Sequence, residues 1–181
     1  MKKTQIKDLT FELFIPEKDI KDRLSELARE ISSDFQSEEL VLLGVLNGSF
    51  IVMADLARLI DLSVSCEFLK ISSYSGTSTT GEVRSVLGLA ADLSGKNVLI
   101  VEDIVDTGIS MDYLLSELSK HNPKTLTIFT LLFKKDAFRF NYSLDYVGFE
   151  IPNKFVVGFG LDYDGLGRNL PDLYQLSTTK K

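Results

Sequence analysis

The chain alternates between two hydrophobic periods. After Pro16-Glu17, the apolar residues Ile20, Leu24, Leu27, Ala28 and Ile31 recur three and four positions apart, predicting a helix with one buried stripe. A second such stripe, Met53, Ala54, Ala57 and Ile60, follows Asn47-Gly48-Ser49, and a third, Met111, Leu114, Leu115 and Leu118, follows Thr107-Gly108. Between the stripes stand short unbroken apolar runs, LVLLGVL at 40–46 and NVLIV at 97–101, the pattern of strands covered on both faces. Further strands are expected around Val64–Ile71, over VRSVLGL (83–89), TLTIFTLLF (125–133), YVGFEI (146–151) and FVVGFG (155–160). The N-terminal MKKTQIKDLTFELF alternates charged and apolar residues.

Alternation of strand and helix predicts an α/β fold, a mostly parallel twisted sheet flanked by helices, with a small hood or lid region. Its 181 residues suit one domain, 1–181, large enough to bury a substantial core. In such sheets ligands gather outside the carboxyl ends of the strands. The polar loops expected there are 47–49, SSYSGTSTTGE at 72–82, 102–110 and 162–168.

Composition removes several function classes. A net charge of -6 argues against a protein built to grip a nucleic-acid backbone, which needs Lys and Arg. One cysteine and one histidine exclude an intrachain disulfide and zinc chemistry of the usual kind. Cys66 alternates with Val64 and Phe68 and is expected as a buried core thiol, while His121, after the third helix, is expected at the surface. No window approaches the ~18 apolar residues of a membrane span, and the N-terminus lacks the apolar stretch of a signal peptide. A cytoplasmic protein without membrane contact is the expectation.

The chemistry concentrates in VLIVEDIVDTGIS, Val98 to Ser110. Gly108 permits a turn in which backbone N–H groups converge on an anion, and the helix that follows offers its unpaired N–H groups and positive dipole end. Thr107 and Ser110 add hydroxyls. The plain alternative is a strand–helix connection with Ser110 as N-cap. Glu102 and Asp103, adjacent at the end of a buried strand, are costly unless solvated, paired or metal-bound. They suit vicinal hydroxyls and a hydrated Mg²⁺, and Asp106 between the two zones suits a general base. Two superficial motifs fail at the residues that matter. GTSTTGEV carries Glu82-Val83 where a nucleotide P-loop needs Lys-Ser/Thr, and GFGLDY places Tyr163 at the third glycine of a dinucleotide fingerprint.

VLIVEDIVDTGIS resembles the 5-phosphoribosyl 1-pyrophosphate (PRPP) signature of the type I phosphoribosyltransferases. VLNGSF, SSY, LLFKK and VGFEIPNKFVVGFGLDYDGLGRNLP resemble the first pyrophosphate loop, the lid start, the purine-lysine strand end and the purine-recognition segment (about 146–171) of the hypoxanthine-guanine phosphoribosyltransferases. The similarity runs from about Val41 to Pro171.

The resemblance implies Mg²⁺-dependent transfer of phosphoribosyl from PRPP to N9 of hypoxanthine or guanine, releasing pyrophosphate, in purine salvage. It implies that Asp106, Thr107, Gly108, Ile109 and Ser110 cradle the 5′-phosphate, that Glu102 and Asp103 attend to ribose hydroxyls and Mg²⁺, and that Asp106 accepts the N7 proton. Lys134 would hydrogen-bond the purine 6-oxo group, Phe155 would stack on the ring, and the Val156 backbone would read the base edge. Taken alone, Lys134 equally suits a surface lysine. Asp162 would bind a second Mg²⁺, and Arg168, Asn47, Gly48 and Ser49 would hold pyrophosphate. Family members often carry a non-proline cis peptide at the position of Leu46–Asn47. Ser73 and Tyr74 would open a lid over 72–82, although that composition also suits an ordinary flexible loop. Relatives form dimers or tetramers, which implies a homodimer or homotetramer here.

Three positions depart from the family pattern. Asn47 stands where many relatives carry Lys, Ile109 where some carry a basic residue, and Gly165-Leu166-Gly167 replaces an aromatic-containing stretch. Two other readings cover less of the sequence. A nucleic-acid regulator on the same fold conflicts with the acidic charge and the Lys134, Asp162 and Arg168 set. A phospho-accepting signalling domain leaves Thr107–Ser110 and the C-terminal segment unexplained.

Overall fold

The computed structural model describes residues 2–36, 38–73 and 83–177. Its main sheet has six strands in the order β5-β4-β3-β6-β7-β8, formed by β3 (Leu40–Leu46), β4 (Val64–Ser73), β5 (Val83–Leu87), β6 (Asn97–Val105), β7 (Thr125–Phe133) and β8 (Tyr146–Glu150). The five strands β4, β3, β6, β7 and β8 are parallel, and β5 pairs antiparallel with β4 at one edge. The unbroken apolar runs are explained by cover on both faces. Leu40 and Leu42 of β3 and Leu99 and Val101 of β6 face a core shared with α1 (Glu17–Asp34) and α2 (Phe50–Leu59). Their alternating neighbours Val41, Leu43, Val98 and Ile100 face the core closed by α3 (Ile109–Ser119). The α1 stripe is buried as its spacing predicts. In α2 the buried set is Val52, Met53 and Leu56, while Ala54 faces outward.

From β3 the chain crosses through α2 to β4 on one side; from β6 it crosses through α3 to β7 on the other. The adjacent central strands β3 and β6 therefore feed loops that diverge. Their carboxyl ends bound the crevice where open α/β sheets bind ligands.

A second, four-stranded antiparallel sheet has the order β1-β2-β10-β9, from β1 (Lys3–Ile6), β2 (Leu9–Ile15), β10 (Leu173–Leu176) and β9 (Val156–Val157). Phe11 and Tyr174 anchor its own small core. This hood corrects one expectation: only Val156–Val157 of the 155–160 run is a strand. Gly158 (φ 102°), Phe159 (φ 48°) and Gly160 (φ 103°) turn left-handed and end it.

Cys66 is a second correction. It pairs in register with Leu42, on the helix-covered side of β3, yet it is exposed, as is Phe68. Helix α2 packs over β3 and β6 and leaves that flank of β4 uncovered. His121 is exposed as expected. Of the lid, 74–82 including Tyr74 lies outside the described residues; the Ser73 backbone pairs with Val83 at the end of β4. Among the described residues no helix is long and apolar enough to cross a membrane.

One buried carboxylate joins the hood to the main body. Pro16 caps α1 without a side-chain hydrogen bond, and Asp172 supplies the acceptor instead, taking the Glu17 amide at 2.9 Å and Lys2 Nζ at 2.7 Å. Lys2, then the Glu17 amide, hold the Asp172 carboxyl below its ordinary value. Such an acid contributes stability above its unfolded pKa and loses it as pH falls through the lowered folded value. Asp172→Asn is expected to cost about 1 kcal/mol at pH 7, the scale of a lost helix cap. Urea unfolding at pH 7 and near pH 3 checks this, with the difference shrinking at the acid end.

Candidate active site

Three loops meet at the β3–β6 crevice. The first follows β6. Gly108, at φ 87°, caps α3 without a side-chain hydrogen bond, so Ser110 lies inside the first helical turn and the Ser110 N-cap alternative is not realised. The amide groups of residues 107–111 make no hydrogen bond to another described residue. They surround a small cavity of about 110 Å³ lined by Glu102 and residues 104–111. Unpaired amides at a helix N-terminus form a site for one phosphate-sized anion. Ser110 and Ile109 are exposed at its rim.

The acids sit beneath this loop. Glu102 is half-buried as a residue, but its Oε2 is sealed from solvent and has no hydrogen-bond partner. Burial, then the neighbouring Asp103 charge, pushes its carboxyl well above the usual range. Burial also pushes Asp103 up to about 6, against the opposing pull of the Ile104 and Asp103 amides and Arg168. The Ile104 N–H donates to Asp103 Oδ1 at 3.0 Å. Among the described residues no three His, Cys, Asp or Glu side chains stand close enough to hold a metal ion alone. The all-oxygen donors and the unpartnered Glu102 oxygen nonetheless fit Mg²⁺, which keeps several waters and takes one or two carboxylates with substrate phosphates.

The second loop, after β3, presses on the acids. The Leu46–Asn47 peptide is cis, as the resemblance implies, and Asn47 is exposed. A Cβ on Gly48 would stand 1.6 Å from Asp103 Oδ2, so the bare backbone is what lets loop and carboxylate coexist. Ser49, expected among the donors of this loop, has its Oγ fully buried and unpartnered, and its N–H is directed at Val45 O, 3.4 Å away.

The hood closes the third side. A cavity of about 260 Å³ is lined by Asp103, Ile104, Asp106, Lys134, Phe155, Val156, Leu161 and Asp162. Lys134, at the end of β7, is 8% exposed, and its Nζ contacts Asp106 Oδ2 at 2.7 Å, so the surface-lysine alternative is not realised. Phe155 is 44% exposed and offers a free ring face. Its edge is steadied by Phe11 and Tyr163, with centroids 6.1 and 5.9 Å away. Val156, Val157 and Phe159 are buried. Arg168 contacts Asp162 Oδ1 at 2.5 Å and donates to Gly160 O at 2.6 Å, while Asp162 Oδ2 accepts the Gly165 amide. A Cβ on Gly160 would stand 2.0 Å from Gly48 O, so the hood and the loop after β3 touch backbone to backbone.

Glu102 to Ser110 line the first cavity or stand beside it, and Lys134, Phe155, Val156 and Asp162 line the second with Asp103 and Asp106, while Ser49 turns its hydroxyl inward and Tyr74 lies outside the described residues. Leu161, Ile104 and Gly160 were missed. Leu161 and Ile104 carry no motif of their own, and the pair Gly158/Gly160 was the only signal of a close backbone approach.

Residues 16–164 match the family model described as the phosphoribosyl transferase domain. The chain is 42% identical over 174 residues to the hypoxanthine-guanine phosphoribosyltransferase of Aquifex aeolicus, covering 95% of this chain and 98% of that protein. It is 44% identical over 165 residues to the hypoxanthine phosphoribosyltransferase of Escherichia coli, covering 90% and 93% respectively. The crystal structure of a hypoxanthine-guanine phosphoribosyltransferase from Bacillus anthracis, with HEPES in the active site, superposes with a TM-score of 0.85. It is 38% identical and covers 92% of this chain and 98% of that one.

Proposed function

The chain belongs to the phosphoribosyl transferase family, and from that premise we propose how its site works. It is a pentosyltransferase of purine salvage, moving a phosphoribosyl group to hypoxanthine or guanine. PRPP is the donor in this reading, and Mg²⁺ the cofactor. One observation carries the assignment of roles: the anion cradle after β6 and the Phe155–Lys134 pocket share Asp106 in their linings, with Glu102 on the cradle side and Asp103 on the pocket side.

The 5′-phosphate takes the free amides of 107–111 and the hydroxyls of Thr107 and Ser110. Asp103 and Glu102 face the ribose hydroxyls, and Glu102, Asp103 and Asp162 would hold Mg²⁺, which when bound neutralises diphosphate charge. Asn47, the Gly48 backbone and Arg168 receive the pyrophosphate; Arg168 suits a planar, multi-donor contact. Phe155 stacks on the base, Lys134 donates to its 6-oxo group, and the Val156 backbone reads its edge. As the bond from C1′ to pyrophosphate breaks, the ribose gains oxocarbenium character. N9 of the base attacks C1′, and Asp106 accepts the N7 proton. The protein aligns the partners and excludes water, with the 72–82 segment as lid and 1–181 as one domain.

Incubation with PRPP, Mg²⁺ and each of hypoxanthine, guanine, xanthine and adenine tests this reading. Nucleotide and pyrophosphate should form in equal amounts with 6-oxopurines; no product with any of them would refute it. Lys134→Ala is expected to raise KM for hypoxanthine about 10- to 100-fold, the scale of a lost charge-assisted hydrogen bond, with little change in KM for PRPP. Steady-state kinetics against each substrate decides it, and an unchanged purine KM would remove Lys134 from the base pocket.

The assembly is a homodimer or homotetramer in this reading. Phe50 and Leu59 of α2 and Phe68 of β4 are exposed apolar side chains, of the kind a second copy can cover. Light scattering of the purified protein tests it. An exposed thiol at Cys66 fits a reducing cytoplasm.

A further inference from the structure

We infer that Tyr142 is a positioning residue for PRPP, acting through the backbone of the anion loop. The inference rests on the assignment of the 5′-phosphate to that loop. The segment after the Lys135–Ala137 3₁₀ turn passes behind it. Arg139 N–H donates to Thr107 O at 3.2 Å, and the Tyr142 hydroxyl donates to Gly108 O at 2.8 Å. These two carbonyls belong to consecutive peptide planes. In a trans peptide the N–H points opposite to the C=O. Holding Thr107 O and Gly108 O on the protein side therefore aims the N–H groups of Gly108 and Ile109 into the cavity. Were either plane to flip, a carbonyl dipole would face the anion in place of a donor.

The clamp is rigidly backed. Phe138 meets Tyr142 edge to face at 5.0 Å and Phe133 at 5.2 Å. Gly108 lies so close to this cluster that a Cβ there would stand 2.6 Å from Phe138 and 2.7 Å from the Tyr142 hydroxyl. Gly108 O also accepts the Asp112 amide at 2.9 Å, so the Tyr142 bond is its second. A helix carbonyl needs no second donor for stability, which points to orientation as the use of the hydroxyl. Burial, and after it the Asp112 charge, holds the phenol above its ordinary value, so it stays protonated and donating.

Tyr142→Phe removes only the hydroxyl and keeps the ring in the aromatic cluster. The expected result is a KM for PRPP raised about three- to tenfold, the range of one hydrogen bond, with KM for hypoxanthine and the melting temperature close to wild type. A wild-type PRPP KM in this variant would overturn the inference, as would equal rises in both KM values, which mark a general loss of packing. Ser110→Ala, assayed in parallel, separates the two levels. If it raises the PRPP KM while Tyr142→Phe does not, the clamp alone is wrong; if neither does, the phosphate is not held at this loop.

Discussion

Asp106→Asn should lower the rate of nucleotide formation by about 10²–10⁴-fold, the usual contribution of one general base. The amide keeps the size of the side chain but cannot take the N7 proton. The geometry makes this the cleanest test of the assigned base. The Asp106 carboxylate lies 2.7 Å from Lys134 Nζ and lines both the Phe155–Lys134 cavity and the cavity of the loop after β6. Because the Asp106 side chain is half-exposed, the amide should not disturb the fold. PRPP binding should persist, since the proposed reading gives its phosphate to the amides of 107–111. Pre-steady-state rates with titration calorimetry for PRPP separate the two effects. Turnover near wild type would remove Asp106 from proton transfer, and loss of PRPP binding would make it a structural member of the loop.

Gly48→Ala should be nearly as damaging, for a steric reason. The new methyl would occupy the position of the Asp103 carboxylate, and backbone on the other side is pinned by Gly160. Either the loop after β3 or Asp103 must move by an ångström or more, and misplacement on that scale costs about 10²-fold in rate. The effect should appear in kcat and in the PRPP KM, with KM for hypoxanthine less affected because the nearest atoms a Gly48 methyl would meet belong to Asp103 and not to Phe155 or Lys134. Kinetics with both substrates varied would show it. A wild-type rate would mean that the Gly48–Asp103 contact is not needed for pyrophosphate departure.

The residues that carry chemistry were legible because their physics is local. An anion turn needs glycine and hydroxyls in sequence, and buried strands declare themselves by unbroken apolar runs. Thus Glu102 to Ser110 and the α1 and α3 stripes stand where their patterns put them, whereas Lys134 was marked only by the family resemblance. The hood was foreseen only as a small region, because its pairing is non-local: Leu173 meets Ile15, and Val156 meets Gln175. Cys66 misled for the opposite reason. Its alternation truly marks one face of a strand, but whether a helix covers that face depends on strand order, which a single sequence does not disclose. Ser49 likewise sits at the foreseen turn, with its hydroxyl rotated inward. The α2 stripe slipped by part of a turn, since several small and apolar residues compete there and packing on β3 chose among them.

The interleaving of β10 between β2 and β9 has a consequence for biosynthesis. Val156, to which the proposed reading gives the base edge, lies in a two-residue strand that pairs with β10 alone within its sheet, and β10 follows every strand of the main sheet along the chain. A nascent chain can therefore complete the loop of residues 107–111 before it can pair the strand that carries Val156. On the proposed reading, the capacity to hold the donor then precedes, during translation, the capacity to choose the acceptor.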